Sequence, residues 1–255
     1  MNSFDVSFIN IKNDCFKKFD GNRQIDFLIF HHLQCGNVNQ ALEALEYHGV
    51  SAHFAIADDG EIIQFVDEND IAFHAGFSYF AGYEGLNTNS IGVEFLNKDP
   101  LENNFTLAQL QSGLRLANYL KNKYQISDRF ILGHSDIAYD AQSNFLNRKQ
   151  DPSYLFDWEF FSINGIGLYP AFENDDEFDE LCFEYGDKDP QILEIKQKLA
   201  NFGYKVNNFN ENFDEEMQNL AIVFNRHYNN ISEIQNQNLW LKASDFALNY
   251  LVELI

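Results

Sequence analysis

The chain is poor in basic side chains, and this shortage limits what it can bind. It contains 17 Lys and Arg against 39 Asp and Glu, which gives a formal net charge of −22 over 255 residues. Binding to a nucleic-acid backbone or to an anionic membrane surface depends on basic side chains that neutralise phosphate charge. The composition therefore argues against both partners, and a solvated surface that maintains solubility is the simpler explanation of the charge.

Long apolar runs and paired cysteines are also missing. No stretch approaches the roughly 18 apolar residues that a membrane span needs, and residues 1–6 contain neither the basic nor the apolar segment of a secretory signal. Cys15, Cys35 and Cys182 are an odd set without paired spacing, which favours free thiols in a reducing compartment. We therefore expect a cytoplasmic protein, with the cell envelope or secretion as the alternative.

Apolar residues are abundant enough to build substantial cores. They make up 45% of the 255 residues, a length that can form one large domain and a small companion. Strands are predicted at 25–30, 53–57, 61–66, 91–96 and 129–132. Helices are predicted at 39–48 and 106–124, the second beginning with a capping-box pattern. This order predicts an α/β fold with a mixed central sheet flanked by helices.

The composition changes in the last third of the chain. An acidic run without a sustained period is predicted to form a linker, and three helical patterns after it predict a small three-helix bundle. The predicted division is 1–171 for the first domain, 172–189 for the linker and 190–255 for the helical domain.

Two histidines and two carboxylates suggest metal-assisted hydrolysis. His31 and His134 each follow a predicted strand, at the strand ends where α/β sheets tend to bind ligands. With Asp151 they could supply three zinc ligands and leave a fourth position for water, while Glu94 is a spare carboxylate. Each also has an ordinary alternative: His134 could be a buried, hydrogen-bonded histidine, and Asp151 could simply initiate a turn at Pro152.

The order and the neighbours of these residues resemble the type 2 N-acetylmuramoyl-L-alanine amidases, a family of zinc enzymes that shares a fold with peptidoglycan recognition proteins. The matching segments are 28–32, 51–54, 58–60, 73–76, 87–94, 133–138 and 149–152. The resemblance implies that His31, His134 and Asp151 bind Zn²⁺ and that the enzyme hydrolyses the amide bond between N-acetylmuramic acid and L-alanine in peptidoglycan or muropeptides.

The resemblance also implies roles for four further residues. Glu94 would accept a proton from the attacking water, and Lys149 would stabilise the oxyanion. His74 and Asn89 are expected in the substrate cleft.

The remaining histidines near these motifs are expected to play no direct part. His32 is adjacent to His31, and because neighbouring strand residues point to opposite faces, only one of the two can face the metal. The resemblance matches His31. His53 is expected to be structural, or to lie behind a ligand.

One segment departs from the family pattern. Residues 139–147 separate the second motif from Arg148 and Lys149, where the relatives have only a few residues. Such a loop can still return Asp151 to the metal, because closure entropy grows slowly with loop length. It could instead change how the substrate enters.

The C-terminal helices resemble the peptidoglycan-binding module of some of these amidases, although Asn212 replaces a usual glycine. An accessory bundle that only packs on the catalytic domain is the alternative.

For the whole protein, the alternatives are a non-catalytic peptidoglycan recognition protein and another zinc amide hydrolase. The three ligands together with Glu94 and Lys149 favour the amidase, while the choice of sacculus or anhydro-muropeptide and the oligomeric state stay open.

Overall fold

The structure, a computed structural model, describes residues 5–172, 179–229 and 238–255. Its strands are β1 (Val6–Phe8), β2 (Phe16–Lys17), β3 (Phe27–Gln34), β4 (Phe54–Ile56), β5 (Ile62–Gln64), β6 (Ile71–Ala72), β7 (Tyr79–Phe80), β8 (Tyr83–Glu84), β9 (Ser90–Asn97), β10 (Ile131–Gly133), β11 (Leu181–Phe183) and β12 (Trp240–Leu241). Its α-helices are α1 (Val38–His48), α2 (Leu107–Tyr124), α3 (His134–Ile137), α4 (Trp158–Ile163), α5 (Pro190–Phe202), α6 (Glu215–Tyr228) and α7 (Lys242–Glu253).

A six-stranded sheet in the order β1-β5-β4-β9-β3-β10 forms the centre of the first part of the chain. All neighbours are parallel except β4 and β5, which form the predicted hairpin. All eight residues of β9 are buried, as expected of a strand with parallel neighbours and both faces covered. Helix α2 packs against β3 and β4. The predicted mixed sheet flanked by helices is confirmed.

The sequence signal for the start of α2 is confirmed in atomic detail. The Thr106 Oγ1 accepts the Gln109 N–H at 3.1 Å, and the Gln109 Oε1 accepts the Thr106 N–H at 3.1 Å. In the middle of α2, a β-carbon on Gly113 would lie 2.6 Å from the ring of Phe95. Glycine is therefore required where the helix meets the sheet.

The prediction that His31 follows the end of its strand is wrong. β3 continues to Gln34, because every residue of Phe27–Gln34 pairs with a residue of β9 and the ladder does not stop at His31. His31 is therefore fixed inside the sheet, whereas His134 directly follows β10, as predicted.

The chain divides into two compact units by its internal contacts. The sheet unit consists of the described residues within Met1–Gly76, Gly85–His134 and Asp151–Gly167. The helical unit consists of those within Phe77–Glu84, Ser135–Gln150 and Leu168–Ile255. The functional domains 1–171 and 190–255 with their linker stay a prediction. The compact units differ from them because two internal segments group with the C-terminal helices.

The helical unit contains the three predicted C-terminal helices, α5, α6 and α7, with α7 in contact with both of the others. A β-carbon on Gly203, which ends α5 with φ +136°, would lie 2.6 Å from the ring of Phe80. Within the predicted linker, which stays a prediction, Leu181–Phe183 pairs with Trp240–Leu241 as a strand. Its acidic residues at 173–178 lie outside the described residues.

No helix within the described ranges has both the length and the apolar character that a bilayer span requires.

All three cysteines are free thiols, with Cys15 and Cys35 buried. Burial raises the pKa of Cys35 to about 11, so this thiol is protonated at neutral pH and unreactive as a nucleophile.

Candidate metal centre

Three side chains of the sheet unit converge on one point, and all three are buried. His31 lies on β3, and His134 follows the neighbouring strand β10, whose Gly133 pairs with Phe30. The Nδ1 atoms of His31 and His134 are 3.1 Å apart, and each lies 3.0 Å from the Asp151 Oδ2. The inserted loop therefore does return Asp151 to the two histidines.

The donor atoms fit a zinc ion. Nitrogen and oxygen ligands at about 2.0–2.1 Å from zinc in a tetrahedron are about 3.3 Å apart. The three donor atoms here are separated by 3.0–3.1 Å. Two neutral imidazoles and one carboxylate also match the donor types that zinc accepts in catalytic sites.

The hydrogen bond on the far side of His134 determines which of its ring nitrogens faces the cluster. Its Nε2 lies 3.2 Å from the carbonyl oxygen of Ala75. A carbonyl can only accept, so the proton resides on Nε2 and the Nδ1 lone pair points toward His31 and Asp151. This is the usual support of a metal-binding histidine.

His31 receives the same support through a relay of three polar groups. The Ser90 hydroxyl donates to the carbonyl of Leu86, so its oxygen accepts the Nε2–H of His74 at 3.0 Å. The His74 Nδ1 is then the acceptor for the Nε2–H of His31, also at 3.0 Å. The relay leaves the His31 Nδ1 unprotonated toward the cluster.

His74 occupies a narrow space behind His31. A β-carbon on Gly92 would lie 2.5 Å from the His74 ring, so only glycine allows the ring to approach β9. Burial, with the neighbouring His31 and His53, holds the pKa of His74 well below its usual value. A neutral His74 is the form that the relay needs, and both of its ring nitrogens are used to orient His31. Its predicted contact with substrate stays a prediction.

Sequence reasoning missed two residues that hold this arrangement in place. The Asn87 Oδ1 accepts the backbone N–H groups of His74 and Ala75 at 2.9 and 2.7 Å. The buried Arg23 donates to the carbonyl oxygens of Asn87 and Ser90 at 3.0 and 2.9 Å. Burial lowers the pKa of Arg23 to about 10, which still leaves it charged at neutral pH. Asn87 lies in the matched segment 87–94 but was given no role, and Arg23 lies outside the matched segments, so nothing in the sequence separated it from surface residues.

The alternation of side chains along β3 and β9 explains the positions of Glu94 and His32. Glu94 pairs with His31 in the parallel register, so the two side chains lie on the same face of the sheet. Phe30 and Phe95 contact each other on the opposite face, with ring centroids 5.5 Å apart, and His32 shares that face. The cluster accordingly contains His31 and not His32, and the buried Glu94 is the carboxylate placed beside it.

The other predicted residues are not among the three converging side chains. Asn89 ends a short 3₁₀ helix and donates to the Asp26 Oδ2 at 3.3 Å. Lys149 belongs to the helical unit and has an exposed side chain. The His53 Nδ1 accepts the backbone N–H of Gly92 at 3.0 Å, and burial lowers its pKa to about 3. A structural role for His53 is consistent with these contacts, while the roles of Asn89 and Lys149 stay predictions.

Comparison with known proteins places the chain in a family. Residues 21–154 match the family model described as N-acetylmuramoyl-L-alanine amidase. The N-acetylmuramoyl-L-alanine amidase AmiD of Escherichia coli (strain K12) is 26% identical over 223 residues, which are 80% of this chain and 75% of that protein. The 1,6-anhydro-N-acetylmuramyl-L-alanine amidase AmpD of the same organism is 40% identical over 114 residues, which are 45% of this chain and only 57% of that protein.

Solved structures show the same fold. A complex of E. coli AmiD with the substrate anhydro-N-acetylmuramic acid-L-Ala-D-γ-Glu-L-Lys superposes with a TM-score of 0.72 at 24% identity, over 91% of this chain and 90% of that one. AmpDh3 from Pseudomonas aeruginosa gives a TM-score of 0.71 at 21% identity, over 95% of this chain and 97% of that one. The predicted fold, family and enzyme class are confirmed. Because the family model covers more than half of the sequence, the chain belongs to the N-acetylmuramoyl-L-alanine amidase family.

Proposed function

We propose that the protein is a zinc-dependent amidase that hydrolyses the bond between N-acetylmuramic acid and L-alanine in muropeptides or peptidoglycan. The observation that carries the proposal is the convergence of His31, His134 and Asp151, whose donor atoms lie within 3.1 Å of one another. The relatives AmiD and AmpD are amidases by name, and the AmiD structure holds an anhydromuramyl peptide. Membership of their family supports the same bond as the target here.

The chain's own residues divide the work of the reaction. When bound, zinc lowers the pKa of a water molecule and polarises the amide carbonyl. His31 and His134 would hold the ion through Nδ1, together with the Asp151 carboxylate, while His74 and the carbonyl of Ala75 keep the two imidazole protons on Nε2. Glu94, beside His31 in the register, takes the proton of the attacking water at its carboxylate and delivers it to the leaving amine of L-alanine.

Lys149 stabilises the oxyanion that forms when the water adds to the amide carbonyl. Its ammonium group donates to the negative oxygen that develops on the carbonyl as the water adds. Collapse of this oxyanion breaks the C–N bond, so one water is consumed and a carboxylic acid and a free amine are released. This role requires the positive charge of Lys149. The resemblance of the segment 149–152 to the family motif supports the assignment of the role to Lys149.

We also propose that α5, α6 and α7 form a peptidoglycan-binding module. The resemblance of residues 192–228 to such modules supports it. Sedimentation of the full-length Asp151→Ala protein with isolated sacculi tests binding without cleavage. Retention in the pellet supports the module, and complete recovery in the supernatant contradicts it.

Mass spectrometry of reaction products tests the amidase. The zinc-loaded protein is incubated with isolated sacculi and, in parallel, with soluble anhydro-muropeptides. Asp151→Ala removes a ligand, and Glu43→Ala, at an exposed position of α1, is the matched loss of a carboxylate. We expect free stem peptides with the wild type and Glu43→Ala but not with Asp151→Ala. The better substrate indicates whether the enzyme works on the wall or on soluble fragments, and hence its compartment.

Failure has a specific meaning in this experiment. If the zinc-loaded wild type releases no stem peptide from either substrate, the amidase proposal is wrong. Retention of the same protein on sacculi would then identify a recognition protein.

A further inference from the structure

The inserted loop before Lys149 is an ordered part of the helical unit. Its ends are joined by a bridge between Tyr139 and Leu146, and the Asp140 N–H donates to the carbonyl of Phe145 at 2.8 Å. The Asp140 carboxylate accepts the backbone N–H groups of residues 142 and 143, each at 2.9 Å. The loop thus has its own local structure. These internal bonds do not fix the direction of the chain after the loop, toward Lys149.

Two residues of α6 hold the end of this loop. The Asn147 side chain donates to the Asn219 Oδ1 at 3.1 Å and accepts from the Arg226 Nη2 at 3.3 Å. The Arg226 Nη1 donates to the backbone carbonyl of Lys149 at 3.2 Å. Asn219 and Arg226 are separated by two helical turns, so they lie on one face of α6. Arg226 is 9% exposed, so water competes little for its bonds.

The beginning of the segment is fixed by the same helix. The His227 Nδ1 lies 2.7 Å from the Asp136 Oδ2, and the Tyr204 hydroxyl donates to the Asp136 Oδ1 at 2.9 Å. All three side chains are at most 2% exposed. Burial and the nearby Asp136 raise the pKa of Tyr204 well above its usual value, so it remains a donor.

The tip of the loop is held by a third group of bonds. The Asn207 Nδ2 donates to the carbonyl of Asn144 at 3.0 Å, and the Asn144 Nδ2 donates to the Asn207 Oδ1 at 2.7 Å. Asn207 is fixed in turn by the buried Glu216 at the start of α6, which accepts its backbone N–H at 2.7 Å. Helix α6 therefore supports the beginning, the tip and the end of Ser135–Gln150.

We infer that α6 is a catalytic support, in which Arg226 is a positioning residue that fixes the backbone of Lys149 for the reaction. The inference rests on the proposed role of Lys149. The lysine ammonium group sits on a flexible four-carbon stem, so the placement of its backbone decides which positions it reaches. A displacement of about 1 Å of a reacting group can cost about 100-fold in rate. The helical unit would then serve catalysis as well as binding.

A double-mutant cycle on the full-length, zinc-loaded protein tests this inference. Arg226→Met removes the donors and keeps the apolar stem, Lys149→Ala removes the ammonium group, and the third variant combines both. Gln218→Ala, on the partly exposed side of α6, is the matched control. We expect Arg226→Met to lower kcat on anhydro-muropeptides about tenfold, with KM changed less than about twofold. Zinc content stays at the wild-type level, and Arg226→Lys restores part of the rate.

The cycle distinguishes positioning from general damage. If Arg226 acts through Lys149, Arg226→Met has no further effect in the Lys149→Ala background. Equal and independent effects in both backgrounds, or a wild-type rate for either single variant, would overturn the inference. If the inference on Arg226 fails while the wild type still hydrolyses the substrate, the proposed function is unaffected. An inactive wild type contradicts the proposed function itself.

Hydrogen exchange gives a readout that does not depend on activity. The amides of residues 145–149 should exchange faster in Arg226→Met than in the wild type or in Gln218→Ala, while the amides of β3 stay protected. Unchanged exchange in that segment would overturn the inference, since Arg226 would then not hold the backbone.

Discussion

The two units of the molecule hold their functional residues in different ways. In the sheet unit, the supporting hydrogen bonds end on the rings of the proposed metal ligands, as between the His74 Nδ1 and the His31 Nε2 at 3.0 Å. In the helical unit they end on the backbone of a segment, as between Arg226 and the carbonyl of Lys149 at 3.2 Å. Changes in the first unit should therefore alter metal binding. Those in the second should alter stability or the placement of a loop and leave the metal unaffected.

We expect the greatest loss of activity when one of the proposed metal ligands is removed. Asp151→Ala leaves two imidazoles, and we expect zinc content and hydrolysis to fall below detection, because a catalytic zinc site needs three protein ligands. Elemental analysis of dialysed protein and product release measure the two quantities, with Glu43→Ala as control. Full zinc content in Asp151→Ala would show that the cluster is not the metal site.

Loss of the proton acceptor separates chemistry from metal binding. Glu94→Gln keeps the shape of the side chain and removes its charge, so we expect a fall in kcat of about 10²–10⁴-fold with zinc content unchanged. The measurement is steady-state kinetics on anhydro-muropeptides beside elemental analysis. A decrease in kcat of less than about tenfold would assign the proton transfer to another group.

The relay behind His31 should affect metal affinity. His74→Leu removes both ring nitrogens and leaves the buried Nε2–H of His31 without its acceptor, so we expect zinc affinity to weaken by about 10–100-fold. Competition with a chromophoric chelator measures it, and ¹⁵N NMR of the metal-free protein shows whether the Nε2 tautomer of His31 is lost. His48→Gln, on the exposed end of α1, is the matched control. Wild-type affinity and an unchanged tautomer in His74→Leu would contradict the relay.

The smallest expected effect lies in the helical unit. Asp214 caps α6 and accepts from the buried Lys196 at 3.1 Å. Asp214→Ala should cost about 1 kcal/mol of unfolding free energy, as loss of a helix cap does, and lower Tm by a few degrees. Zinc affinity should not change. A loss of zinc affinity equal to that of His74→Leu would remove the distinction between the two units.

The stabilisation by Asp214 should depend on pH. Burial raises its pKa, but the backbone N–H of Met217 with Asn210 and Lys196 outweighs burial, so the pKa lies below the ordinary 3.8. The folded state therefore binds the proton more weakly than the unfolded state, and the stabilisation is present above about pH 4 and lost as the pH falls further. Thermal melts of the wild type and Asp214→Ala should differ at pH 7 and converge in acid. A constant difference would contradict this explanation.

The reactive residues of the candidate site could be predicted from the sequence, because imidazoles and carboxylates are distinctive residue types. The residues that support them could not. Imidazoles and carboxylates in family motifs indicated His31, His134, Asp151 and Glu94, and the first three converge in the structure. The supports are of common types, such as the Asn87 that fixes the backbone of His74. Their function depends on what lies beside them in space, which periodicity and capping signals do not report.

The same limit applies to the fold. Local signals correctly predicted α2 with its capping box, because the Thr106 to Gln109 contact spans only three residues. They missed the extension of β3 to Gln34 and the strand at Leu181–Phe183, since each depends on a partner strand more than fifty residues away in the chain. The grouping of Ser135–Gln150 with the C-terminal helices has the same origin.

A zinc titration of the metal-stripped protein tests whether His31, His134 and Asp151 form the catalytic metal site. Zinc is added stepwise while the release of stem peptide from an anhydro-muropeptide is followed by mass spectrometry. We expect activity to rise linearly and to saturate at one zinc per chain, and we expect His31→Ala, His134→Ala and Asp151→Ala each to abolish this response. Full hydrolysis by the stripped protein in the presence of a chelator, or saturation by a variant that lacks one of these ligands, would contradict it.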